Sequence, residues 1–594
     1  MLLLLAMLLA CDGDVRPALD PAAATPEEPP AAGVTAGTAG PDPAGPDPDA
    51  VAAALAAHCA SVAPPPMVEQ VSPGVWVARG YDLANTVLIH TPQGNVVVDP
   101  GMSPARAAPA RQALQAVAPG PTRAVIYTHS HIDHVGGATA WVEADTEVWA
   151  TESFARSFFS QYGRFLPAEA ARGARQFGQD VPLSALECAS MGRRPDLAAA
   201  LTNGTVLPTR TFQGRQAMDL GGVRIELWSA PGETEDALFV HLPDAGVLLS
   251  GDDWVGALPD LYPLRGSRPR RVEPWLDTLD QMRRLDPVVL VPSHTAPVLG
   301  QAAVRQALTD HRDALQWVRD AVVRGANAGQ PVEELAARTH LPPHLADQPA
   351  LAPVQGRLDW SVRAVYQGEL GWFDGEVERL FPLPPQEEAR RTVELMGGAA
   401  RVREAAAQAL QAGDPSWALS LLRTCERAGE PGLDEEIAQA LVALADRTGS
   451  PNARAWLLQA AHERRTPPTP LGLPTLTDEF IDAIPIALLF DVMSTRLKPE
   501  AALDTHESVR FELTDIDQVW HVTVRRGVAE VVAGEPLPGT PAPVATVRTT
   551  APTWRRVALG QEDPVTAVAA RHIQIDGDPM ALHRFLGRFD RRLL

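Results

Sequence analysis

The chain has 594 residues, of which 45% are hydrophobic and 21% charged, so it can form several folded domains and is not a wholly disordered or fibrous protein. Asp and Glu (73) outnumber Lys and Arg (51), which gives a net charge of -22 and argues against nucleic acid as a partner. An anionic substrate therefore requires a local positive centre, such as a metal ion or a well-placed arginine.

The first 11 residues resemble a bacterial lipoprotein signal peptide. Residues 1–10, MLLLLAMLLA, form an apolar run that is too short to cross a bilayer as a helix. The next residue, Cys11, completes a lipobox-like Leu-Leu-Ala-Cys, although no basic segment precedes the run. We expect an exported lipoprotein of a bacterial cell envelope, in the periplasm or at the cell surface, anchored to the membrane through Cys11. The alternative is an ordinary apolar start of a cytosolic chain.

Residues 12–66 are rich in Ala, Pro, Gly and Asp. This composition buries too little apolar surface to fold, and it predicts a disordered tether.

The predicted secondary structure of the remaining chain changes twice. Residues 67–305 alternate short β-rich runs with helical ones, which predicts an α/β layered domain. Residues 306–470 have helical periodicity, with more apolar surface than one helical layer can hide, so we expect a homodimer. Residues 475–594 combine helices and strands, which predicts an α+β domain.

The four cysteines are far apart in the chain and indicate neither a disulfide framework nor a cysteine-based zinc site. The sequence leaves open whether Cys59 and Cys188 pair.

The most informative motif is THSHIDHVGG at 128–137, which directly follows an apolar strand. It places three histidines and an aspartate within six residues, and imidazole and carboxylate are the ligands that zinc prefers in hydrolytic sites. Alternation along the strand end directs His129 and His131 to one side, and the following turn can direct Asp133 and His134 to a second point nearby. The alternative is a run of surface histidines beside a turn.

This motif resembles the H-x-H-x-D-H motif of the metallo-β-lactamase superfamily, whose fold is an αββα sandwich. Three later runs match the order of the remaining ligands in that superfamily: PGET at 231–234, SGD at 250–252 and PSH at 292–294. The resemblance implies two zinc ions. One would be bound by His129, His131 and Glu233, and the other by Asp133, His134 and His294, with Asp252 between them.

Glu233 replaces a histidine that most superfamily members carry, and this replacement is typical of the alkylsulfatase branch. The runs LPDLYPLRG at 258–266, WSVRAVYQGELGWFDG at 360–375 and PLPPQEEARRTVELMGGA at 382–399 also resemble that branch. The resemblance implies a helical dimerisation domain and a C-terminal domain similar to sterol carrier protein 2. The run LPTRTF at 207–212 departs from the family pattern, so the sequence does not determine the sulfate pocket or the identity of the substrate.

By the same resemblance, Arg265 binds the sulfate of the substrate, and Asp133 and Arg265 are the expected catalytic residues. A guanidinium forms bidentate bonds with a tetrahedral oxyanion, a geometry that lysine cannot reproduce. The alternative is a surface arginine, since three more arginines follow within six residues.

Two further groups of apolar residues are ambiguous. In the C-terminal domain, an apolar tunnel or an ordinary core is equally consistent with the alternation of six residues: Phe490, Val492, Phe511, Val522, Val524 and Val531. In the helical region, Tyr366, Trp372 and Phe373 either reach towards the pocket or belong to the helical core.

The resulting hypothesis is a two-zinc hydrolase that cleaves alkyl sulfate esters to alcohol and sulfate, with a small amphiphilic anion as substrate. Attack at sulfur and attack at carbon both remain open. One alternative keeps the metal site but hydrolyses another ester, such as a lactone or a phosphoester. A second alternative is a non-catalytic lipoprotein that binds amphiphiles.

Overall fold

A computed structural model describes residues 47–197, 202–470, 472 and 475–590. The predicted signal peptide, including Cys11, and the first part of the predicted tether lie outside these described residues.

The last part of the predicted tether is helical, so that prediction is wrong from residue 48 onward. Helix α1 spans Pro48–Val62, and the side chain of Asp47 caps it by accepting a hydrogen bond from the Asp49 amide. Proline in the first turn and an alanine-rich interior favour a helix, which outweighs the low overall hydrophobicity of the segment.

A disulfide joins α1 to the loop before residue 197. Cys59 and Cys188 are bonded across a sequence separation of 129 residues. The neighbouring His58 Nε2 lies 2.8 Å from the Ser190 carbonyl oxygen. The pairing that the sequence left open is therefore present, and Cys425 is a buried free thiol.

Two sheets form the centre of the predicted catalytic region, residues 67–305. The first has seven strands in sequential order: β1 (Met67–Ser72), β2 (Val75–Arg79), β3 (Thr86–Thr91), β4 (Gly94–Val98), β5 (Thr122–Ile126), β6 (Glu147–Thr151) and β7 (Arg210–Phe212). The second has six strands in the order β13-β12-β11-β10-β9-β8: β8 (Arg215–Leu220), β9 (Val223–Ser229), β10 (Leu238–Leu242), β11 (Val247–Gly251), β12 (Val289–Pro292) and β13 (Val298–Leu299).

Helices cover the outer face of each sheet. The first sheet carries α2 (Pro104–Val117), α3 (Ile132–Val135), α4 (Phe154–Gln161) and α5 (Leu166–Gln176) among its connections, and the second packs against α6 (Val272–Leu285) and α7 (Gln301–Asn327). Valine, leucine and isoleucine side chains from both sheets form one buried cluster between them. The predicted αββα sandwich is thus confirmed. Its parallel strands are buried on both faces, which explains their continuous apolar runs.

The central part of the chain is helical. It comprises α8 (Val332–Arg338), α9 (Pro343–Ala346), α10 (Leu358–Leu370), α11 (Pro385–Leu395), α12 (Ala399–Gln411), α13 (Pro415–Arg427), α14 (Asp434–Ala445) and α15 (Pro451–Arg465). Several large apolar side chains of this region are exposed, including Trp372 at 68%, Phe381 at 92% and Leu395 at 89%. Tyr366 is buried in the core between the second sheet and the helices.

The C-terminal region is a five-stranded sheet with helices, as predicted. It contains α16 (Asp478–Ala483), α17 (Ile486–Ser494), β14 (His506–Leu513), β15 (Gln518–Arg525), β16 (Val528–Ala533), β17 (Pro543–Thr549), α18 (Ala551–Ala558), α19 (Pro564–Ala569), β18 (Gln574–Gly577) and α20 (Pro579–Gly587). The sheet order is β16-β15-β14-β17-β18.

Most of the residues considered for an apolar tunnel belong to the core of this region. Phe490, Phe511, Val522 and Val524 are at most 1% exposed. Their core is continuous with that of the catalytic region, because the Phe480 ring lies 5.8 Å from the ring of Phe158 on α4. The two regions therefore share buried apolar surface.

Within the described ranges, no helix combines the length and the apolar composition that crossing a bilayer requires.

Candidate metal centre

The predicted metal ligands follow the ends of four strands at one edge of the sandwich. The motif residues His129 and His131 come after β5, Glu233 after β9, Asp252 after β11 and His294 after β12. In the second sheet β9, β11 and β12 run in the same direction, because β10 is antiparallel to both β9 and β11 and β12 is parallel to β11, so their ends lie at the same edge. The motif then turns tightly into α3 and the two glycines. A Cβ on Gly136 would lie 1.9 Å from the Met102 carbonyl oxygen, so only glycine fits there.

The first group of ligands consists of His129, His131, Glu233 and Asp252, whose ligand atoms all lie within 4.8 Å of one another. His129 Nε2 is 2.7 Å from His131 Nδ1, and His131 Nδ1 is 3.5 Å from Glu233 Oε1. All four residues are buried.

The second group consists of Asp133, His134 and His294. Asp133 Oδ2 lies 3.3 Å from His134 Nε2 and 3.4 Å from His294 Nε2. Asp252 Oδ2 lies 3.6 Å from His134 Nε2, 3.2 Å from His294 Nε2 and 3.9 Å from His129 Nε2. Asp252 thus stands between the two groups, where the sequence comparison expected a bridging ligand.

The chemistry of these residues fits metal ions. His134 Nε2 and Asp252 Oδ1 are buried without a hydrogen-bond partner, a state that buried polar atoms rarely keep. Burial lowers the pKa of His129 to about 3, whereas the Asp252 and Asp133 carboxylates outweigh burial and raise the pKa of His294 to about 10, so the second ligand group is a negatively charged environment that favours a cation. Burial also raises the pKa of Glu233 to about 8 even though the Arg270 and Arg265 guanidiniums lower it, so a bound metal ion would be the cation that keeps this carboxylate ionised at neutral pH.

Asp99 is a buried carboxylate that the sequence analysis missed. It directly follows β4 with a φ of 56°, in the left-handed region. Asp99 Oδ2 lies 2.9 Å from His134 Nδ1 and accepts hydrogen bonds from the Thr128 hydroxyl at 2.8 Å and the Ser293 hydroxyl at 2.6 Å. It therefore orients His134 and ties together the ends of β5 and β12. The signal was available, since the run NVVVDPG puts an aspartate straight after a buried strand.

We expect Asp99→Asn to lower metal affinity or activity about 10- to 100-fold, because partners that orient a metal-binding histidine have effects of that size. Metal content and kcat/KM would measure the change. Asp244→Asn is a matched control, because Asp244 is exposed in the turn between β10 and β11. Equal metal content and activity in Asp99→Asn and wild type would contradict this role.

Two arginines flank the first ligand group. Arg265 Nη2 is 3.0 Å from His131 Nε2, and Arg265 Nη1 donates to Glu169 Oε1 at 2.7 Å. Arg270 Nη2 lies 2.7 Å from Glu233 Oε1, and its side chain is only 5% exposed. Arg270 was not among the site residues predicted from the sequence, because nothing in its local pattern distinguishes it from its exposed neighbours Arg268 and Arg271.

A cavity of about 890 Å³ opens from these ligands. Its inner end is lined by His131, Asp133, Glu233, Asp252, His294 and the two arginines. Its apolar wall combines α4 with α16 and α17 of the C-terminal region and includes Phe158, Phe159, Phe480, Leu488, Leu489 and Val492. Of the described residues that line the cavity, none belongs to the run at 207–212 or to the aromatic residues at 366–373.

Comparison with known proteins agrees with this architecture. Three family models match the chain in order: "Metallo-beta-lactamase superfamily" over residues 79–294, "Alkyl sulfatase dimerisation" over 331–466 and "Alkyl sulfatase C-terminal" over 474–592. A linear primary-alkylsulfatase from Pseudomonas sp. is 30% identical over 530 residues, which cover 85% of this chain and 98% of that protein. This chain belongs to the alkylsulfatase family.

Two further alkylsulfatases are similar to this chain over most of its length. An (R)-specific secondary-alkylsulfatase from Pseudomonas sp. is 31% identical, with coverage of 88% of this chain and 80% of that protein. The solved structure of the stereoselective inverting sec-alkylsulfatase Pisa1 from Pseudomonas sp. superposes with a TM-score of 0.78 at 28% identity, covering 88% of this chain and 84% of that one. The family resemblance predicted from the sequence is confirmed, and the chain is a metal-dependent hydrolase.

Proposed function

We propose that this alkylsulfatase hydrolyses alkyl sulfate esters to alcohol and sulfate with two zinc ions. The observation that carries the proposal is the cavity, which joins a buried His/carboxylate centre and Arg265 at one end to an apolar wall along its length. An alkyl sulfate has the matching form, with a small anionic head and an apolar tail.

The seven ligand residues would bind two metal ions. His129, His131 and Glu233 would hold one metal ion, and Asp133, His134 and His294 the other, with Asp252 shared between them. Bound zinc lowers the pKa of water towards neutrality and polarises an ester oxygen. Burial favours the protonated form of Asp133, but His134 and His294 outweigh burial and keep its pKa well below the usual range. Asp133 therefore stays ionised and acts as a ligand.

Arg265 would bind the head of the substrate. Its guanidinium reaches His131 in the first ligand group and lines the cavity, so it can donate charge-assisted hydrogen bonds to sulfate oxygens beside the metal site. The apolar wall from α4, α16 and α17 would exclude water from the alkyl chain, a contribution of about 0.8 kcal/mol per buried CH₂.

The direct test is metal analysis followed by a substrate panel. Purified protein is expected to contain about two zinc ions per chain, to lose hydrolysis on chelation and to regain it with added zinc. A panel of dodecyl sulfate, aryl sulfates, lactones and phosphodiesters should show a preference for dodecyl sulfate. Full activity in a metal-free preparation, or preferred hydrolysis of a lactone, would refute the proposal.

We expect Leu488→Asp to reduce kcat/KM more for long alkyl sulfates than for short ones. Leu488 lies on α17, lines the cavity and packs against Gly163 of the catalytic region, so a carboxylate there would face the alkyl tail. A chain-length series would measure the slope of kcat/KM, which should fall from about 0.8 kcal/mol per CH₂ towards zero beyond the contact.

Leu503→Asp is the matched control, because Leu503 is in the same region but is 58% exposed. An unchanged slope in Leu488→Asp would remove the C-terminal region from tail binding. Deletion of that region is a poorer test, because Phe480 shares a core with Phe158 and its removal would expose the catalytic region.

The homodimer follows from two observations. The dimerisation model matches 331–466, and this part of the chain carries several exposed apolar side chains: Leu370, Trp372, Val377, Leu380, Phe381, Leu383 and Leu395.

We expect Phe381→Asp to convert the dimer to a monomer in analytical ultracentrifugation, because it places a charge on the most exposed of these side chains. The control is Leu299→Asp on the exposed strand β13. A wild-type monomer at micromolar concentration would contradict the dimer.

The proposed location is the bacterial cell envelope, with lipidated Cys11 as the anchor. The Cys59–Cys188 disulfide supports export, because disulfides persist in oxidising compartments and are rare in the cytosol. Cys11→Ser should release the protein from the membrane fraction or block its maturation. Recovery of wild-type protein from the cytosol with Met1 intact would overturn the proposal.

A further inference from the structure

Glu169 on α5 forms a partly buried ion pair with Arg265. Glu169 Oε1 accepts from Arg265 Nη1 at 2.7 Å and from Gln161 Nε2 at 2.9 Å. The two side chains of the pair are 13% and 15% exposed, and both line the cavity. Glu169 belongs to neither group of metal ligands among the described residues. Its carboxylate therefore places a negative charge beside the expected sulfate site, and this charge is paired with Arg265 and not with a metal ion.

Helix α5 holds Glu169 in this position by binding the same loop at two further points. Arg172 Nη2 donates to the Leu264 carbonyl at 2.7 Å. Gln176 Oε1 accepts from the Arg265 amide at 2.7 Å. Residues 169, 172 and 176 lie on one face of the helix, so the three contacts form a single row along the loop that carries Leu264 and Arg265. The position of the carboxylate is thus fixed by the fold and not by one flexible side chain.

Each of the two arginines at the inner end of the cavity is paired with a carboxylate. Arg270 is paired with Glu233 at 2.7 Å, and Arg265 is paired with Glu169 at the same distance. An alkyl sulfate carries one negative charge. An alkyl phosphate monoester carries almost two above neutral pH, since its second pKa is about 6. The Glu169 carboxylate therefore repels the doubly charged phosphate ester more strongly than the singly charged sulfate ester.

We propose that Glu169 is a specificity-determining residue, which limits the positive charge of the Arg265 site so that singly charged sulfate esters are accepted and doubly charged phosphate monoesters are rejected. Repulsion of a wrong partner by a placed like charge is a general route to selectivity. This inference rests on the proposed function, because it assumes that the ester head binds at Arg265.

The test compares kcat/KM for decyl sulfate and decyl phosphate at pH 8 in the zinc-loaded enzyme. In Glu169→Gln, the sulfate-to-phosphate ratio should fall about tenfold or more, because removing a like charge relieves repulsion of the dianion most. Glutamine has the same shape, and its amide oxygen can still accept from Arg265. Glu169→Asp keeps the charge and should keep the wild-type ratio.

Glu463→Gln is the matched control, because Glu463 also lines the cavity but pairs with Arg175 and not with Arg265. It should leave the ratio unchanged. Equal changes for both substrates in Glu169→Gln, or the same ratio shift in Glu463→Gln, would overturn the proposal.

Binding of small ester head groups separates this inference from the proposed function. Calorimetric titration of the zinc-loaded proteins at pH 8 with methyl phosphate, which carries almost two negative charges, and methyl sulfate, which carries one, should show that Glu169→Gln gains affinity for methyl phosphate relative to methyl sulfate. That measurement does not need turnover, so it remains decisive if the wild type hydrolyses no sulfate ester. Unchanged relative affinities would refute the role of Glu169 even in an active sulfatase.

Discussion

Asp252→Asn is expected to reduce alkyl sulfate hydrolysis by more than about a hundred-fold, since even residues that only support metal ligands have effects of 10- to 100-fold. One Asp252 oxygen lies within 3.9 Å of ring nitrogens in His129, His134 and His294, so it serves both groups of ligands. The variant would leave three buried imidazoles without their shared carboxylate. Zinc content and kcat/KM should fall together.

Asp277→Asn is the matched control, because Asp277 is exposed on α6. A variant at Asp252 that retained two zinc ions and wild-type activity would show that the bridging position is assigned wrongly.

Arg265→Ala is expected to lower kcat/KM about 10- to 100-fold for all sulfate esters, because a hydrogen bond to a charged group contributes about 1.5–3 kcal/mol. The loss should be the same at every chain length, since Arg265 meets the head and not the tail. It should also leave the partly buried Glu169 carboxylate without its cation. Arg265→Lys should restore only part of the activity, because an ammonium lacks the planar fork of the guanidinium.

The control for this series is Arg268→Ala, an exposed arginine in the same loop. The measurement is kcat/KM over a chain-length series. A change in the chain-length slope in Arg265→Ala, or full activity with every sulfate ester, would contradict the assignment of Arg265 to the sulfate.

The predicted tether, and the choice between tunnel and core that the C-terminal strands left open, show where sequence patterns were insufficient. Composition predicted disorder through residue 66, but a cap, an early proline and a run of alanines are enough for α1, and the bond to Cys188 holds it in place. Alternation in the C-terminal strands could not distinguish core from cavity wall, because both need apolar side chains on one face. The structure places Phe490 and Phe511 in the core and Val492 at the cavity.

The family, the sandwich fold, the order of the three regions and the candidate ligands could all be predicted from the sequence, because they depend on short motifs and on local periodicity. THSHIDHVGG and the strand ends carrying Glu233, Asp252 and His294 are recognisable without knowing what lies beside them. Three features became visible only in the folded structure. Asp99 contacts His134, Glu169 pairs with Arg265, and residues of α4, α16 and α17 line the same cavity. Each of these depends on contacts between residues 35 or more positions apart, and no local pattern encodes which distant side chains the fold will bring together.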